Sequence, residues 1–174
     1  GAQVIFCDLY QNSNGKRVFF NVYEELKRKL VANGIPAQEI AIINDYSTDK
    51  QKQNVFDQVN KGEIRIIIGS TGKLGTGVNI QERLAVAHHI DAPFRPSDME
   101  QRNGRIIRQG NMIAEVEILM YGVEQTLDAG MYQILERKQK FINDAMKGKN
   151  ARNSKEINDT ALDYATFSAL ISGN

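Results

Sequence analysis

Residues 64–79 read Ile-Arg-Ile-Ile-Ile-Gly-Ser-Thr-Gly-Lys-Leu-Gly-Thr-Gly-Val-Asn, a short apolar run that leads directly into a glycine loop, residues 69–79. A run this short, rich in isoleucine and bounded by glycine, is typical of a buried strand. Ligands of open parallel sheets bind where the strands end, and glycines let backbone amides approach an anion closely. Ser70, Thr71 and Lys73 add donors at the same place. The stretch therefore predicts a parallel sheet with an anion-binding loop, or a plain tight turn after the strand.

The glycine loop does not fit the Walker A nucleotide-binding motif. That motif has four residues between its first glycine and Gly-Lys. Here two residues separate Gly69 from Gly72, and Leu74 stands where a hydroxyl would hold magnesium. The loop is therefore not predicted to be a nucleotide P-loop.

Short apolar runs alternate with longer amphipathic ones on both sides of this stretch. Strands are predicted at 4–9, 40–43, 64–68, 87–90 and 116–121. Helices are predicted at 18–33, from a cap at Ser47 or Thr48 to Gly62, and from Pro96 onward. This alternation predicts a parallel sheet with right-handed crossovers and helices on both faces, over residues 1–125.

The chain after residue 125 has a different composition. Residues 126–146 show a long helical pattern, residues 148–154 form a polar basic linker, and a last short helix is predicted near 159–171. Basic residues outnumber acidic ones between 136 and 155, which is typical either of a solvated face or of a surface that follows a phosphate backbone. We expect residues 126–174 to form a C-terminal helical extension.

Composition excludes several classes of protein. A net charge of +1 over 174 residues gives no overall attraction to nucleic acid or membrane, so any basic site must be local. The lone Cys7 rules out an intramolecular disulfide and a cysteine zinc site, and it fits a reducing cytoplasm. No apolar stretch is long enough to span a membrane. His88, His89 and the aspartates near the strand ends show no metal-ligand spacing, so no metal site is predicted.

A second stretch, residues 101–110, reads Gln-Arg-Asn-Gly-Arg-Ile-Ile-Arg-Gln-Gly. Residues three apart share a helix face, so Arg105 and Arg108 are expected to point the same way, with Arg102 one turn earlier. The planar guanidinium is always charged and matches phosphate oxygens. We expect either a clamp for an anion or a solvated basic face.

These two stretches, together with residues 91–96, resemble one known pattern. The chain resembles the C-terminal RecA-like lobe of a superfamily-two helicase or translocase, closest to the Swi/Snf-type branch. Residues 70–80 match motif V of that family, and residues 101–108 match motif VI. The resemblance implies an α/β fold of the RecA-like kind, a three-layer parallel sheet with helices on both faces.

The resemblance also implies roles for individual residues. Arg105 and Arg108 stand at the arginine-finger positions that face the γ-phosphate of ATP. Support of the ATP site is implied for Gln101, Gly75, Gly77 and Asn79. Contacts to nucleic-acid phosphates are implied for Ser70, Thr71, Lys73 and Lys52.

Cofactors and partners follow from the same resemblance. The sequence contains no Gly-Lys-Thr P-loop and no Asp-Glu box on a strand, so ATP and Mg are expected to be bound mainly by a first, N-terminal RecA-like lobe of the same parent protein. The expected nucleic acid is double-stranded DNA. The extension resembles helicase modules of large phage or mobile-element proteins, which join the helicase to an adenine-specific DNA methyltransferase.

Three functions fit these observations. The leading hypothesis is the second motor lobe of an ATP-dependent DNA helicase or translocase, inactive alone. The first alternative is a non-catalytic nucleic-acid-binding or scaffold module with a helicase-like fold. The second is an independent small-molecule enzyme, such as a nucleotide-sugar transferase.

Overall fold

Five parallel strands form one sheet in the computed structural model, which describes residues 1–8, 21–75, 77–124 and 126–147. The strands are β1 (Ala2–Phe6), β2 (Ile40–Ile42), β3 (Ile66–Gly69), β4 (Leu84–His89) and β5 (Glu117–Met120). Their order across the sheet is β2-β3-β1-β4-β5, and every pairing is parallel. The predicted parallel α/β sheet is confirmed.

The helices alternate with the strands in the predicted order, and the last helix follows β5. They are α1 (Val22–Ala32), α2 (Asp49–Lys61), the single turn α3 (Thr71–Leu74), α4 (Pro96–Ile106) and α5 (Leu127–Lys147). Of the two predicted caps of α2, Ser47 and Thr48, the structure uses Thr48. Its side chain accepts a hydrogen bond from the Gln51 backbone, and the Gln51 side chain accepts one from the Thr48 backbone. Helix α2 ends at Gly62, which adopts a φ of 84° that glycine tolerates.

Alternate residues of the strands face two separate apolar clusters. Val4 and Phe6 of β1 belong to the cluster that contains Val55 and Val59 of α2. Ile5 and Cys7 belong to the cluster that contains Tyr23 of α1. Because successive side chains of a strand point to opposite faces, helices cover both faces of the sheet. This arrangement gives the three layers expected of a RecA-like fold.

Several element boundaries differ from the predicted ones. β3 begins at Ile66 rather than Ile64, and β4 begins at Leu84 rather than Ala87. The longer β4 follows from its pairing, since Leu84 lies opposite Ala2 of the neighbouring strand. β1 ends at Phe6 rather than at residue 9, and α1 begins at Val22 after its N-cap Asn21 rather than at residue 18. The predicted linker at 148–154 and the predicted helix at 159–171 lie outside the described residues.

The chain divides into two compact units. The first contains Gly1–Ile90 and Glu100–Met120 and holds the whole sheet. The second contains Asp91–Met99 and the chain from Tyr121 onward. In the second unit the Lys138 ammonium donates to the carbonyl of Phe94, 2.6 Å away. The predicted domain limits at residues 125 and 126 stay a prediction, and the part of the chain described here contains no helix with the length and hydropathy of a membrane span.

Candidate functional site

Arg105 and Arg108 converge on one backbone carbonyl at the end of the glycine loop. Nη1 of Arg105 donates to the carbonyl oxygen of Val78 at 2.6 Å. Nη1 of Arg108 lies 3.3 Å from the same oxygen and 3.1 Å from Oδ1 of Asn79. The two guanidinium groups are therefore held side by side, as expected from their spacing.

The convergence does not arise from one continuous helix, and this part of the prediction was wrong. α4 ends at Ile106, so Arg108 lies beyond it. The side-chain amide of Asn111 donates to the carbonyls of Ile106 and Leu84, at 3.1 and 2.9 Å. This amide therefore satisfies the carbonyl of Ile106, the last residue of α4. Between the helix end and Asn111 the chain turns at Gly110, whose φ is 88°.

Electrostatic repulsion between the two arginines favours an anion at this place. Partial burial, and to a lesser extent the charge of Arg108, lowers the pKa of the Arg105 guanidinium below its ordinary value. A phosphate group near both guanidinium groups would offset this repulsion. Its oxygens would also accept hydrogen bonds from guanidinium N–H groups. The arrangement can therefore bind an anion or stabilise negative charge that develops on one.

Arg102, which the sequence places one helical turn earlier, does not join this pair. Its side chain is fully buried, and Nη2 lies 2.8 Å from Oδ2 of Asp8. Nε donates to Oγ1 of Thr71 at 2.7 Å, and the guanidinium lies 5.4 Å from the centre of the Phe6 ring. Arg102 is thus an internal residue that connects α4 to the end of β1 and the start of α3.

The hydroxyl of Thr71, which is expected to contact nucleic acid, is hydrogen-bonded inside the protein in this structure. The Thr71 backbone N–H donates to Oδ1 of Asp8 at 2.7 Å, and its hydroxyl donates to Oδ2 at 2.6 Å. The hydroxyl also accepts the bond from Arg102 described above. Both Thr71 and Ser70 are buried. Because its polar groups are used inside the protein, Thr71 positions the loop rather than presenting a free donor.

His89 completes the buried polar cluster as a neutral ring. Nε2 lies 3.0 Å from Oδ1 of Asn103, and Nδ1 lies 3.4 Å from Nη1 of Arg102. Burial, and then the charge of Arg102, lowers the pKa of His89 to about 3. The neutral ring can donate a hydrogen bond from Nε2 to Asn103 and accept one at Nδ1 from Arg102. A second proton, on Nδ1, would bring a positive charge next to the Arg102 guanidinium.

Lys52 and Lys73 line a common cavity of about 320 Å³. Lys52 lies on α2, where its ammonium is 3.4 Å from Oδ1 of Asp49, and Lys73 is exposed on the single turn α3. Gly72 and Gly77 also line this cavity. Lys52 and Lys73, which lie on different helices, are therefore found at the same cavity.

Three further residues predicted to support the ATP site are Gly75 and Gly77, which lie in the glycine loop, and Gln101, which lies on α4. A Cβ atom at Gly75 would lie 2.4 Å from the carbonyl oxygen of Thr71, and Gly77 has a φ of 67°. Both glycines are thus required by the path of the loop itself. Gln101 is half-buried on α4, and its carbonyl lies 3.4 Å from Nε of Arg105.

Sequence reasoning missed Asp8, Arg102 and His89 as parts of one cluster. Asp8 and Arg102 are 94 positions apart, and no local pattern links two residues at that separation. The available signal was the position of Asp8 directly after a buried strand, at the edge where the glycine loop also begins. Within the described ranges, no three His, Cys, Asp or Glu residues are grouped so that they could hold a metal ion.

The part of the chain that contains the candidate site matches a known protein family. The model of the helicase conserved C-terminal domain family matches residues 3–110. The "Defense against restriction protein B" of Escherichia phage P1 is 30% identical over 108 residues, which cover 62% of this chain and 5% of that protein. The chain thus spans a small part of the curated relative that it matches.

Two solved structures share the fold at low sequence identity. The "C-terminal part of Fun30 ATPase domain" superimposes with a TM-score of 0.61 at 19% identity, covering 99% of this chain and 48% of that one. The "DUF1998 helicase MrfA bound to DNA" gives a TM-score of 0.54 at 20% identity, covering 82% of this chain and 18% of that one. At these identities the likeness shows the α/β RecA-like fold.

Proposed function

The chain belongs to the helicase conserved C-terminal domain family, and on that premise we propose that it is the second motor lobe of an ATP-dependent DNA helicase or translocase. The observation that carries this proposal is the convergence of Arg105 and Arg108 on the Val78 carbonyl. Two guanidinium groups held together at the end of a glycine loop form a ready site for a phosphate.

The nucleotide chemistry is shared between two lobes in this proposal. A first lobe holds ATP and Mg, and this lobe supplies Arg105 and Arg108 across the cleft, with Gln101, Gly75, Gly77 and Asn79 shaping their surroundings. ATP with Mg supplies the phosphoryl group that is hydrolysed. The two arginines stabilise the negative charge that develops during transfer, and they act only when the lobes close, which makes this lobe inactive alone.

Double-stranded DNA is the proposed nucleic acid. Lys52 and Lys73 share a cavity beside the glycine loop, where they can contact phosphates. Thr71 positions that loop through its bonds to Asp8, and Ser70 directly before it is proposed as a further phosphate contact. The similar helicase MrfA was solved bound to DNA, which supports this assignment. Contacts to phosphates carry no direct sequence information, so the lobe should bind DNA without sequence preference.

The origin of the parent protein is also part of the proposal. A match to 5% of a phage protein fits a motor lobe inside a very large chain of a phage or mobile element. We place the lobe in the Swi/Snf-type branch and propose a fusion to an adenine-specific DNA methyltransferase, on the resemblance of the motif V and motif VI residues and of the extension.

The test is the Arg108→Ala variant of the full-length protein. An arginine finger typically contributes about a thousandfold or more to turnover, so ATP hydrolysis should fall by that order while the affinity for duplex DNA is retained. Arg28→Ala is the matched control, because Arg28 pairs with Glu25 on the exposed surface of α1. Unchanged turnover in Arg108→Ala would overturn the assignment and favour the non-catalytic scaffold.

A further inference from the structure

Asn60, near the end of α2, uses both sides of its side-chain amide to hold the supporting segment, residues 79–82. Its Nδ2 donates to the carbonyl oxygen of Asn79 at 2.9 Å, and its Oδ1 accepts from the backbone N–H of Glu82 at 3.3 Å. A side-chain amide carries donors on one side and an acceptor on the other, so a single orientation of the group makes both bonds. Asn60 therefore fixes the supporting segment at both of its ends.

The supporting segment in turn holds Arg108 and the chain that follows it. Nη1 of Arg108 donates to Oδ1 of Asn79 at 3.1 Å. The carbonyl oxygen of Glu82 accepts from the backbone N–H of Met112 at 2.9 Å, four residues after Arg108. The two residues that Asn60 holds are thus the same two that hold the Arg108 side chain and the backbone beyond it.

Arg108 needs this support because neither a helix nor the core fixes its side chain. It lies beyond the end of α4 and is exposed. A long exposed side chain can adopt many rotamers, whereas a group that stabilises developing charge must be held close to one position. Burial anchors Val78 and Ile80 in the apolar core on either side of Asn79, but the Asn79 carbonyl itself needs a donor, which Asn60 supplies.

We propose that Asn60 is a positioning residue for ATP hydrolysis, which aligns Arg108 through the supporting segment. This inference rests on the proposed function, since it concerns the alignment of an arginine that acts on the transferred phosphoryl group. Asn60 acts through its two backbone partners and not on the nucleotide. Because Arg108 stabilises charge in the transition state, loss of its alignment should lower kcat for ATP and leave KM unchanged.

The experiment measures kcat and KM for ATP in variants of the full-length protein with saturating duplex DNA. Asn60→Ala removes both bonds and should lower kcat by about ten- to a hundredfold, the range expected for a displaced catalytic group, with KM within about twofold of the wild type. Asn60→Asp keeps the size of the side chain but replaces the donor by an oxygen that repels the Asn79 carbonyl, so kcat should fall to a similar extent. Asn33→Ala is the matched control, because the Asn33 amide donates to the Lys29 carbonyl at the end of α1.

Combination with Arg108→Ala separates a positioning role from general support of the fold. If Asn60 acts through Arg108, the double variant should hydrolyse ATP as slowly as Arg108→Ala alone when both are measured in single turnovers. A further loss in the double variant, equal to the loss in Asn60→Ala alone, would overturn the inference, and so would wild-type kcat in both Asn60 variants. If Asn60→Ala does not fold, Asn60→Asp takes its place in this comparison. Unchanged turnover in Arg108→Ala would instead contradict the proposed function.

Discussion

Two arginines of one short stretch have opposite environments. Arg102 is fully buried against Asp8, whereas Arg108 is exposed beside Asn79. Removing a charge such as Arg102 from water is costly unless it is paired and hydrogen-bonded, and the half-buried carboxylate of Asp8 and the buried hydroxyl of Thr71 provide those partners. The spacing of arginines in the sequence therefore identified Arg105 and Arg108 as a pair. It could not show that Arg102, at the same spacing, is buried inside the protein.

His89 should make the lobe sensitive to acid. Its pKa of about 3 in the folded protein lies below the ordinary value of 6.5, so the unfolded chain binds a proton first as the pH falls. The stability that the neutral ring contributes is present above about pH 6.5 and is lost progressively as the pH falls toward 3.

This loss can be measured as the free energy of unfolding against pH. Between these pH values the wild type should lose up to about 1.4 kcal/mol per pH unit more than His89→Gln, which has no ring to protonate. Parallel curves for the two proteins would show that His89 is not held neutral by the fold.

At the scale of elements, the glycine loop depends on a close backbone approach at Gly75. A Cβ atom there would lie 2.4 Å from the Thr71 carbonyl oxygen, whereas a Cβ atom at Gly72 meets nothing within 4 Å. Gly75→Ala should destabilise the lobe by about 1–3 kcal/mol because the backbone must shift. Gly72→Ala is the matched control and should change stability by at most about 1 kcal/mol. Thermal unfolding of both variants checks this prediction, and equal melting temperatures would refute it.

The two lysines of the common cavity should contribute to the salt dependence of DNA binding. Each of Lys52→Ala and Lys73→Ala should weaken binding and reduce the slope of log affinity against log salt concentration by about one, because each phosphate contact releases counterions. Lys29→Ala, on the exposed face of α1, should leave the slope unchanged. If the lysine variants keep the wild-type slope across a salt titration, these lysines do not contact phosphates.

The boundaries of elements were predictable where the signal was local. The cap of α2, predicted at Ser47 or Thr48 and found at Thr48, and the stop at Gly62 follow from residues close together in the chain. The end of α4 at Ile106 was not predicted, since it depends on the Asn111 side chain, which also reaches the Leu84 carbonyl on another strand. Long-range hydrogen bonds of this kind leave no periodic pattern.

At the scale of the whole molecule, the parallel α/β architecture followed from the alternation of apolar runs and amphipathic helices. The link between Asp8 and Arg102 did not, because the two residues are 94 positions apart and meet only in the folded sheet. The family match over residues 3–110 covers both motifs, together with strand β3, which precedes the first motif, and helix α4, which contains most of the second.

The central claim is that this lobe supplies half of a composite ATP site. It is tested most directly by measuring ATP turnover, with and without duplex DNA, for the full-length protein and for this chain alone. The account predicts that DNA accelerates hydrolysis by the full-length protein and that the chain alone hydrolyses no ATP above background. Hydrolysis by the chain alone at the rate of the full-length protein, or a full-length protein that DNA does not stimulate, would contradict it.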